Sequence, residues 1–167
     1  MQPFKDLGTF LNSSPSQLAD TVLHCPVCRR DHKIPFKIVK SGKNLVDQIP
    51  GVIESILGSH VERIGVVYDR QIEEKVITHV HEPLQAMGLA LKKIPLGEKG
   101  SLLPPDVEIG DQAAENLPDG IEILIGVGSG VISDLTKWIA TKRGLPFVLV
   151  GTAASMNAYT SITATMT

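Results

Sequence analysis

The strongest constraint on the fold is an alternation of short apolar runs with segments of helical periodicity. The apolar runs, each as long as a typical strand, cover residues 63–68, 89–94, 121–125 and 147–150. Between them, the apolar side chains of residues 71–87, 108–116 and 131–142 are spaced as in amphipathic helices. Strands joined through helices run parallel, and the connecting helices cover both faces of the sheet. The sequence therefore predicts an α/β fold, a doubly wound parallel sheet.

The residues before the first of these strands predict less regular structure. Residues 1–20 are rich in Ser, Asn and Pro, and we expect them to form a flexible arm. Residues 34–39 alternate apolar and polar side chains and predict a strand. Residues 43–57 predict a helix that Pro50 and Gly51 break or restart.

The length of the chain indicates a single domain. A chain of 167 residues can bury a substantial core, and we expect the domain to span residues 21–167. Residues 153–167 begin an element without completing it. We therefore expect the chain to be truncated before a further domain.

Charge and composition narrow the range of partners. The net charge of −2 and an aromatic content of 4% give no reason to expect nucleic acid or anionic lipid. The sequence has no apolar run of about 18 residues and no basic-then-apolar leader at its start. We therefore expect no membrane span and a cytoplasmic location.

A cluster of glycines follows the third apolar run. Gly126, Gly128 and Gly130 lie between this strand and a helix that starts near Val131. Glycines permit positive φ and a close backbone approach, and the helix would direct the positive end of its dipole at a bound anion. The pattern predicts a phosphate site, although such a turn also serves tight packing alone. It lacks the Lys-Ser/Thr pair of a P-loop and the acid about 20 residues downstream of a standard dinucleotide motif.

Other polar residues follow strand ends and are predicted to face the same crevice. Asp69 and Thr152 each come directly after a predicted strand, where ligands of such sheets bind. Thr152 and Ser155 would otherwise cap a helix. Asp134 has the same two interpretations, a helix cap or a hydrogen-bond acceptor for a ligand. Ser129 is a phosphate donor or a small polar turn residue.

Near the start of the chain, Cys25, Cys28 and His32 form a CxxC motif with a histidine four residues later. Two cysteines are too few for a disulfide framework. A structural zinc ion needs four ligands, and no second pair is evident in the sequence. We favour a hairpin turn at this motif over a zinc site.

Two segments carry a resemblance to a known family, the sn-glycerol-1-phosphate dehydrogenases, which belong with the iron-containing alcohol dehydrogenases and dehydroquinate synthases. The matching segments are Gly128-Ser-Gly-Val-Ile-Ser-Asp134-Leu-Thr-Lys137 and Thr152-Ala-Ala-Ser155-Met-Asn157-Ala-Tyr-Thr-Ser161. The resemblance implies a Rossmann-like, dehydroquinate synthase-like N-terminal domain that binds NAD or NADP. It also implies a following helical domain, so that a divalent metal (Zn, Ni or Fe) is expected only in the full-length protein.

The implied reaction is the reduction of dihydroxyacetone phosphate, a phosphate-ester substrate, to sn-glycerol 1-phosphate for phospholipid biosynthesis. A homo-oligomer is compatible with this family. Because the metal ligands of the family lie in the following domain, the resemblance assigns no metal ligand and no catalytic residue to this chain, which alone should be inactive. The alternatives are a dehydroquinate-synthase-like NAD-dependent lyase and a non-catalytic module that senses dinucleotides.

The resemblance also transfers site residues. Asn157 stands where the family commonly has an aspartate that contacts the substrate, and an amide can hold a hydroxyl group but cannot act as a base. The residues implied to bind the cofactor are Asp69, Gly128, Ser129, Gly130, Val131, Ile132, Ser133, Asp134, Thr152, Ser155 and Ser161.

Overall fold

The computed structural model describes residues 8, 12–58, 61–86, 88–153, 159, 161 and 163–167, without the side chains of residues 15 and 73–76. The chain forms two compact units, Met1–Leu45 and Val46–Thr167. None of the helices in the described ranges combines the length and the apolarity that a membrane crossing requires.

The first unit contains a short antiparallel hairpin. Strands β1 (Val22–His24) and β2 (Asp31–Lys33) pair with each other, and a one-turn helix α1 (Pro15–Leu18) precedes them. The strand predicted over residues 34–39 is wrong, because the hairpin ends at Lys33 and these residues form no strand. The physical reason is Pro35, which has no N–H to donate to a ladder.

The second unit is a sheet with helices on both faces, which confirms the predicted α/β class. Its elements in chain order are α2 (Ile49–Leu57), β3 (Arg63–Asp69), α3 (Glu73–Gln85), β4 (Ala90–Leu96), α4 (Val107–Glu115), β5 (Ile123–Gly128), α5 (Gly130–Arg143) and β6 (Phe147–Gly151). Short 3₁₀ turns precede two of the helices, at Val46–Gln48 and Arg70–Ile72. The expected restart at Pro50 is confirmed, since Pro50 lies in the first turn of α2, where a helix does not need its N–H.

The order of the strands places a ligand crevice. The sheet runs β4-β3-β5-β6, and every neighbouring pair is parallel. From β3 the chain crosses to β4 on one side and then returns to the other side for β5 and β6. The order therefore reverses between β3 and β5. Sheets of this kind bind ligands outside the carboxyl ends of the strands at such a reversal.

Two apolar cores cover the two faces of the sheet. Side chains of β3 alternate between them: Ile64, Val66 and Tyr68 pack with residues of α2 and α3, while Val67 packs with residues of α4 and α5. Because both faces are buried, the strand is apolar along most of its length. For this reason the apolar runs in the sequence predicted the strands of the sheet.

A carboxylate holds the start of β3 to the start of β5. Glu122 Oε2 accepts hydrogen bonds from the backbone N–H groups of Glu62, at 2.6 Å, and Arg63, at 3.0 Å. The N–H groups of Arg63 and Glu62 lower the pKa of the Glu122 carboxyl below its ordinary value of 4.5. The ionised form is therefore favoured in the folded chain.

Replacing Glu122 by Gln should destabilise the chain near neutral pH and have little effect in acid. A carboxyl whose pKa is lowered by folding adds stability above its unfolded pKa, and this stability is lost as the pH falls through the folded pKa. Denaturant unfolding of wild type and Glu122→Gln, from about pH 7 down to about pH 3, measures the difference. A difference that stays constant over this range contradicts the assignment.

Candidate functional site

A single residue, Ser129, connects β5 to α5. Gly128 ends the strand, Gly130 begins the helix, and Ser129 between them has an extended backbone with φ −87° and ψ −166°. Ser129 is exposed, whereas both glycines are buried. Its hydroxyl makes no capping bond to the helix within the described residues. The first N–H groups of α5 and the positive end of its dipole therefore meet the surface at Ser129.

The glycines serve close packing rather than an unusual backbone. None of Gly126, Gly128 and Gly130 has a positive φ, so that part of the prediction is wrong. A Cβ on Gly128 would lie 2.7 Å from Ile132 Cγ1, and a Cβ on Gly126 would lie 2.9 Å from Thr136 Cβ. The first turns of α5 thus lie directly against β5. The packing interpretation holds at these two positions, while the open helix start remains free to meet an anion.

The end of β6 lies beside this turn. Gly151 pairs with Gly128, and the N–H of Thr152 donates to the Gly128 carbonyl at 3.0 Å. Thr152 is exposed, as a ligand contact requires. The Tyr159 hydroxyl lies 3.0 Å from the same carbonyl, and its ring covers Gly151, where a Cβ would lie 2.8 Å from Cζ. The sequence indicated Thr152 by its place after a strand, but no local signal indicated Tyr159.

Asp69 lies at the same edge on the adjacent strand. It is the last residue of β3, and the preceding Tyr68 pairs with Val127 of β5. Its Oδ1 accepts the N–H of Gln71 at 2.9 Å and so supports the following 3₁₀ turn. The side chain is half-buried. One carboxylate oxygen of Asp69 thus accepts a hydrogen bond within the chain. A carboxylate has a second oxygen that can accept a hydrogen bond from a ligand.

A surface hollow continues this edge on the far side of Asp69. Arg70, Gly97, Glu98 and Lys99 line it at the carboxyl ends of β3 and β4. Arg70 Nε donates to the Gly97 carbonyl at 3.2 Å. This edge of the sheet therefore has a glycine turn at one end and, at the other, two cationic side chains and the acidic Glu98.

Asp134 does not cap α5, which corrects that interpretation. It is the fifth residue of the helix, one turn too late to reach the first N–H groups, and the first turn has no acidic residue. Its carboxylate lies 3.3 Å from Lys137 Nζ, and the two side chains are only 9% and 5% exposed. Lys137 was not predicted as the partner of Asp134. Its spacing of three residues from Asp134 on a predicted helix was the available signal.

Ser161 reaches this ion pair indirectly. Its hydroxyl lies 2.8 Å from Thr163 Oγ1 and accepts the Thr163 N–H at 3.1 Å. The Thr163 carbonyl in turn accepts Lys137 Nζ at 3.3 Å. Ser161 therefore lies near α5, but its hydroxyl is used in hydrogen bonds with Thr163.

The remaining predicted residues are either in the first turns of α5 or outside the described ranges. Ile132 and Ser133 are buried and Val131 is half-buried, and the Ser133 N–H donates to the Ser129 carbonyl at 3.0 Å within the helix. Ser155 and Asn157 lie outside the described residues.

The described residues of the second unit do not form a metal site. Within its described residues, no group of three His, Cys, Asp or Glu side chains is arranged to hold an ion. The group that does meet this condition among the described residues, Cys25, Cys28 and His32, lies in the first unit. No described residue of the crevice is therefore assigned to a catalytic metal.

Known proteins resemble this chain along most of its length. Residues 40–167 match the model of the family described as iron-containing alcohol dehydrogenase. The chain is 24% identical over 156 residues to the NAD(P)+ glycerol-1-phosphate dehydrogenase of Bacillus licheniformis, which covers 90% of this chain and 37% of that protein. It is 31% identical over 96 residues to glycerol dehydrogenase 1 of Schizosaccharomyces pombe, which covers 58% of this chain and 20% of that protein.

A solved structure shows the same fold. The crystal structure of glycerol dehydrogenase from Schizosaccharomyces pombe aligns with a TM-score of 0.57 at 22% identity, over 68% of this chain and 27% of that one. The chain thus spans little more than a third of the length of the Bacillus licheniformis relative. The family match includes the whole second unit, with its sheet and its crevice. The chain belongs to the iron-containing alcohol dehydrogenase family.

Proposed function

We propose that the second unit is the dinucleotide-binding domain of an NAD(P)-dependent, metal-dependent dehydrogenase that reduces dihydroxyacetone phosphate to sn-glycerol 1-phosphate. The observation that supports this proposal most strongly is the exposed start of α5 at Ser129, which lies next to the strand reversal of the sheet. An anion at this point meets backbone N–H groups and the positive end of a helix dipole.

The diphosphate of the cofactor would lie across the β5–α5 turn. The N–H groups of Gly130 and Val131 would donate to it, and the Ser129 hydroxyl, which makes no capping bond within the described residues, would add a further bond. Thr152, held beside Gly128 by its N–H at 3.0 Å, has its exposed side chain close to the same group. Ser155 and Ser161 are proposed to complete the contacts on this side.

The adenine-side ribose would lie towards Asp69 and the hollow beyond it. A carboxylate suits the hydroxyl groups of the ribose in NAD, whereas a cationic side chain suits the additional phosphate of NADP. The edge carries both, since Asp69 ends β3 and the adjoining hollow is lined by Arg70 and Lys99 together with Glu98. The proposal therefore includes both cofactors.

The nicotinamide would lie on the other side of the turn, towards Asp134. The bound cofactor supplies a hydride from nicotinamide C4 to the carbonyl carbon of the substrate. Lys137 neutralises the buried Asp134 carboxylate and fixes its position, and the second carboxylate oxygen is proposed to accept a hydrogen bond from the nicotinamide amide. Asn157 is proposed to hold a substrate hydroxyl without transferring its proton.

The metal of the full-length protein, Zn, Ni or Fe, is proposed to be held by a following domain. It would polarise the substrate carbonyl there. The described residues of the crevice contribute no ligand to it, so the role proposed for this chain is to bind and orient the dinucleotide.

Calorimetric titration of the chain with NADH and NADPH tests the dinucleotide site. We expect binding by wild type and a loss of affinity of about tenfold or more in Ser129→Glu, since a second negative charge would face the diphosphate across a few ångströms. Ser129 makes no capping bond within the described residues, so its replacement should leave the fold intact. Ser55→Glu, an equal change at an exposed position of α2, should bind like wild type. Equal affinity of the two variants, or no binding by folded wild type at millimolar cofactor, contradicts the site.

The substrate is tested in the full-length protein by NADH oxidation. Dihydroxyacetone phosphate should be reduced much faster than dihydroxyacetone, which has the same carbonyl but no phosphate. Product analysis distinguishes the alternatives: a lyase would release product without net oxidation of NADH, and a sensing module would turn over neither compound.

A further inference from the structure

Three atoms that commonly bind metals meet in the hairpin of the first unit. The Sγ atoms of Cys25 and Cys28 and a ring nitrogen of His32 all lie within 4.8 Å of one another. Cys28 Sγ and His32 Nε2 are 2.9 Å apart. None of these side chains takes part in the proposed dinucleotide site.

The backbone of the loop presents both sulfur atoms to one side. The Cys25 carbonyl accepts the N–H of Arg29 at 2.9 Å, and the Cys25 N–H donates to the Arg30 carbonyl at 2.9 Å. Arg29 adopts a positive φ of 56°, which closes the loop between the two strands. His32 pairs with Leu23 on the opposite strand, so its ring is carried by the regular part of the hairpin.

The turn between the strands also brings the two cysteines into contact. The Cys28 N–H points at Cys25 Sγ over 3.5 Å. Cys25 Sγ is therefore held on the side of the loop from which Cys28 and His32 extend.

Within the described residues of the first unit, the hairpin is supported mainly by backbone hydrogen bonds and by exposed ion pairs such as Lys33 with Asp20 at 3.6 Å. Each strand has only three residues, and every residue of β2 is exposed. Among the described residues of the unit, none is fully buried. Isolated two-stranded hairpins are marginally stable in water, and small units without a core commonly depend on a metal or on disulfides.

We propose that Cys25, Cys28 and His32 bind one Zn²⁺ ion that staples the β1–β2 hairpin, with water as the fourth ligand. Two thiolates and an imidazole are a ligand set that suits zinc. Tetrahedral zinc, with Zn–S of about 2.3 Å and Zn–N of about 2.1 Å, spaces its ligand atoms about 3.5–3.8 Å apart. Small side-chain rotations bring the observed cluster to that spacing. His24 is not the fourth ligand, because its ring nitrogens do not belong to the group of ligand atoms that lie within 4.8 Å of one another.

Metal analysis of the purified chain under reducing conditions tests the site. We expect wild type to retain one equivalent of zinc after removal of excess metal. Cys28→Ser and His32→Ala should each weaken zinc binding by more than about a hundredfold, beyond the effect of a change in a residue that only supports a ligand. His79→Ala removes an exposed imidazole from α3 and should keep the full equivalent, which controls for adventitious binding by surface histidines.

Two further measurements keep the test decisive if a variant folds poorly. Cobalt in place of zinc should give thiolate-to-cobalt charge-transfer absorption in wild type, and zinc should slow the reaction of both thiols with a thiol reagent. Zinc well below one equivalent in folded wild type would overturn the proposal. So would full zinc binding by Cys28→Ser, or a Cys25–Cys28 disulfide that persists under reducing conditions with zinc present.

Discussion

Replacing Lys137 by Met should lower the free energy of unfolding of the chain by about 3–5 kcal/mol. Lys137 and Asp134 are 5% and 9% exposed, and they lie 3.3 Å apart on α5. Removing the ammonium group leaves the Asp134 carboxylate buried without its counter-charge, and an unpaired buried charge is among the most costly defects in a protein. Urea unfolding followed by far-UV circular dichroism measures the loss.

A matched variant on the same helix separates burial from charge. Lys142 pairs with Asp111 at 3.0 Å, but these side chains are 50% and 38% exposed. Lys142→Met should therefore cost about 1 kcal/mol or less, even with the loss of its contact to the Trp138 ring. The double change Asp134→Asn with Lys137→Met removes both charges and should recover part of the stability. Equal losses in Lys137→Met and Lys142→Met would show that the Asp134 pair is not effectively buried.

The sequence predicted the sheet well because its central strands are buried on both faces. β3 and β5 are continuous apolar runs for that reason, and apolar runs between amphipathic helices leave few alternative folds. It also predicted that Asp69, the glycine turn and Thr152 share one edge. This followed from parallel strands alone, since their carboxyl ends lie on the same side.

The details of the turn could not be predicted, because they depend on pairing between distant strands. The predicted strand ended at Ile125, with the glycines as a turn, whereas β5 continues to Gly128. It continues because β3 pairs with it through Val127 on one side and β6 pairs with it through Gly128 on the other. Extended pairing on both sides removes the need for positive φ at the glycines.

Contacts between residues far apart in the sequence could likewise not be predicted. Tyr159 reaches Gly128, and the Thr163 carbonyl reaches Lys137, by a return of the chain after β6 that no periodic pattern marks. In the first unit, the alternation of residues 34–39 resembled a strand, but backbone hydrogen bonds to the residues before β1 are made only by Ile34 and Phe36 among the described residues, and no strand forms. Periodicity predicts which residues can form an element, and pairing decides which of them do.

Replacing Gly126 by Ala should destabilise the chain by about 2 kcal/mol or more, although the change adds one methyl group. The new Cβ would contact Thr136 Oγ1 and lie 2.9 Å from Thr136 Cβ and 3.1 Å from Leu149 Cδ2. Thr136 is β-branched and lies on a helix, so its Cβ cannot rotate away. The Thr136 hydroxyl is buried between α5 and β5 and has no hydrogen-bond partner among the described residues, so no space is left there for an added methyl group.

The same substitution at Gly51 should have the opposite sign. Gly51 lies in α2, has nothing within 4 Å of an added Cβ and has no positive φ. Alanine there should stabilise the chain by about 0.5–1 kcal/mol through its higher helix propensity. Urea unfolding of the two variants side by side gives the comparison. If Gly126→Ala were as stable as wild type, α5 would have room to move off β5, and the fixed position of the Ser129 turn that the proposed dinucleotide site requires would be lost.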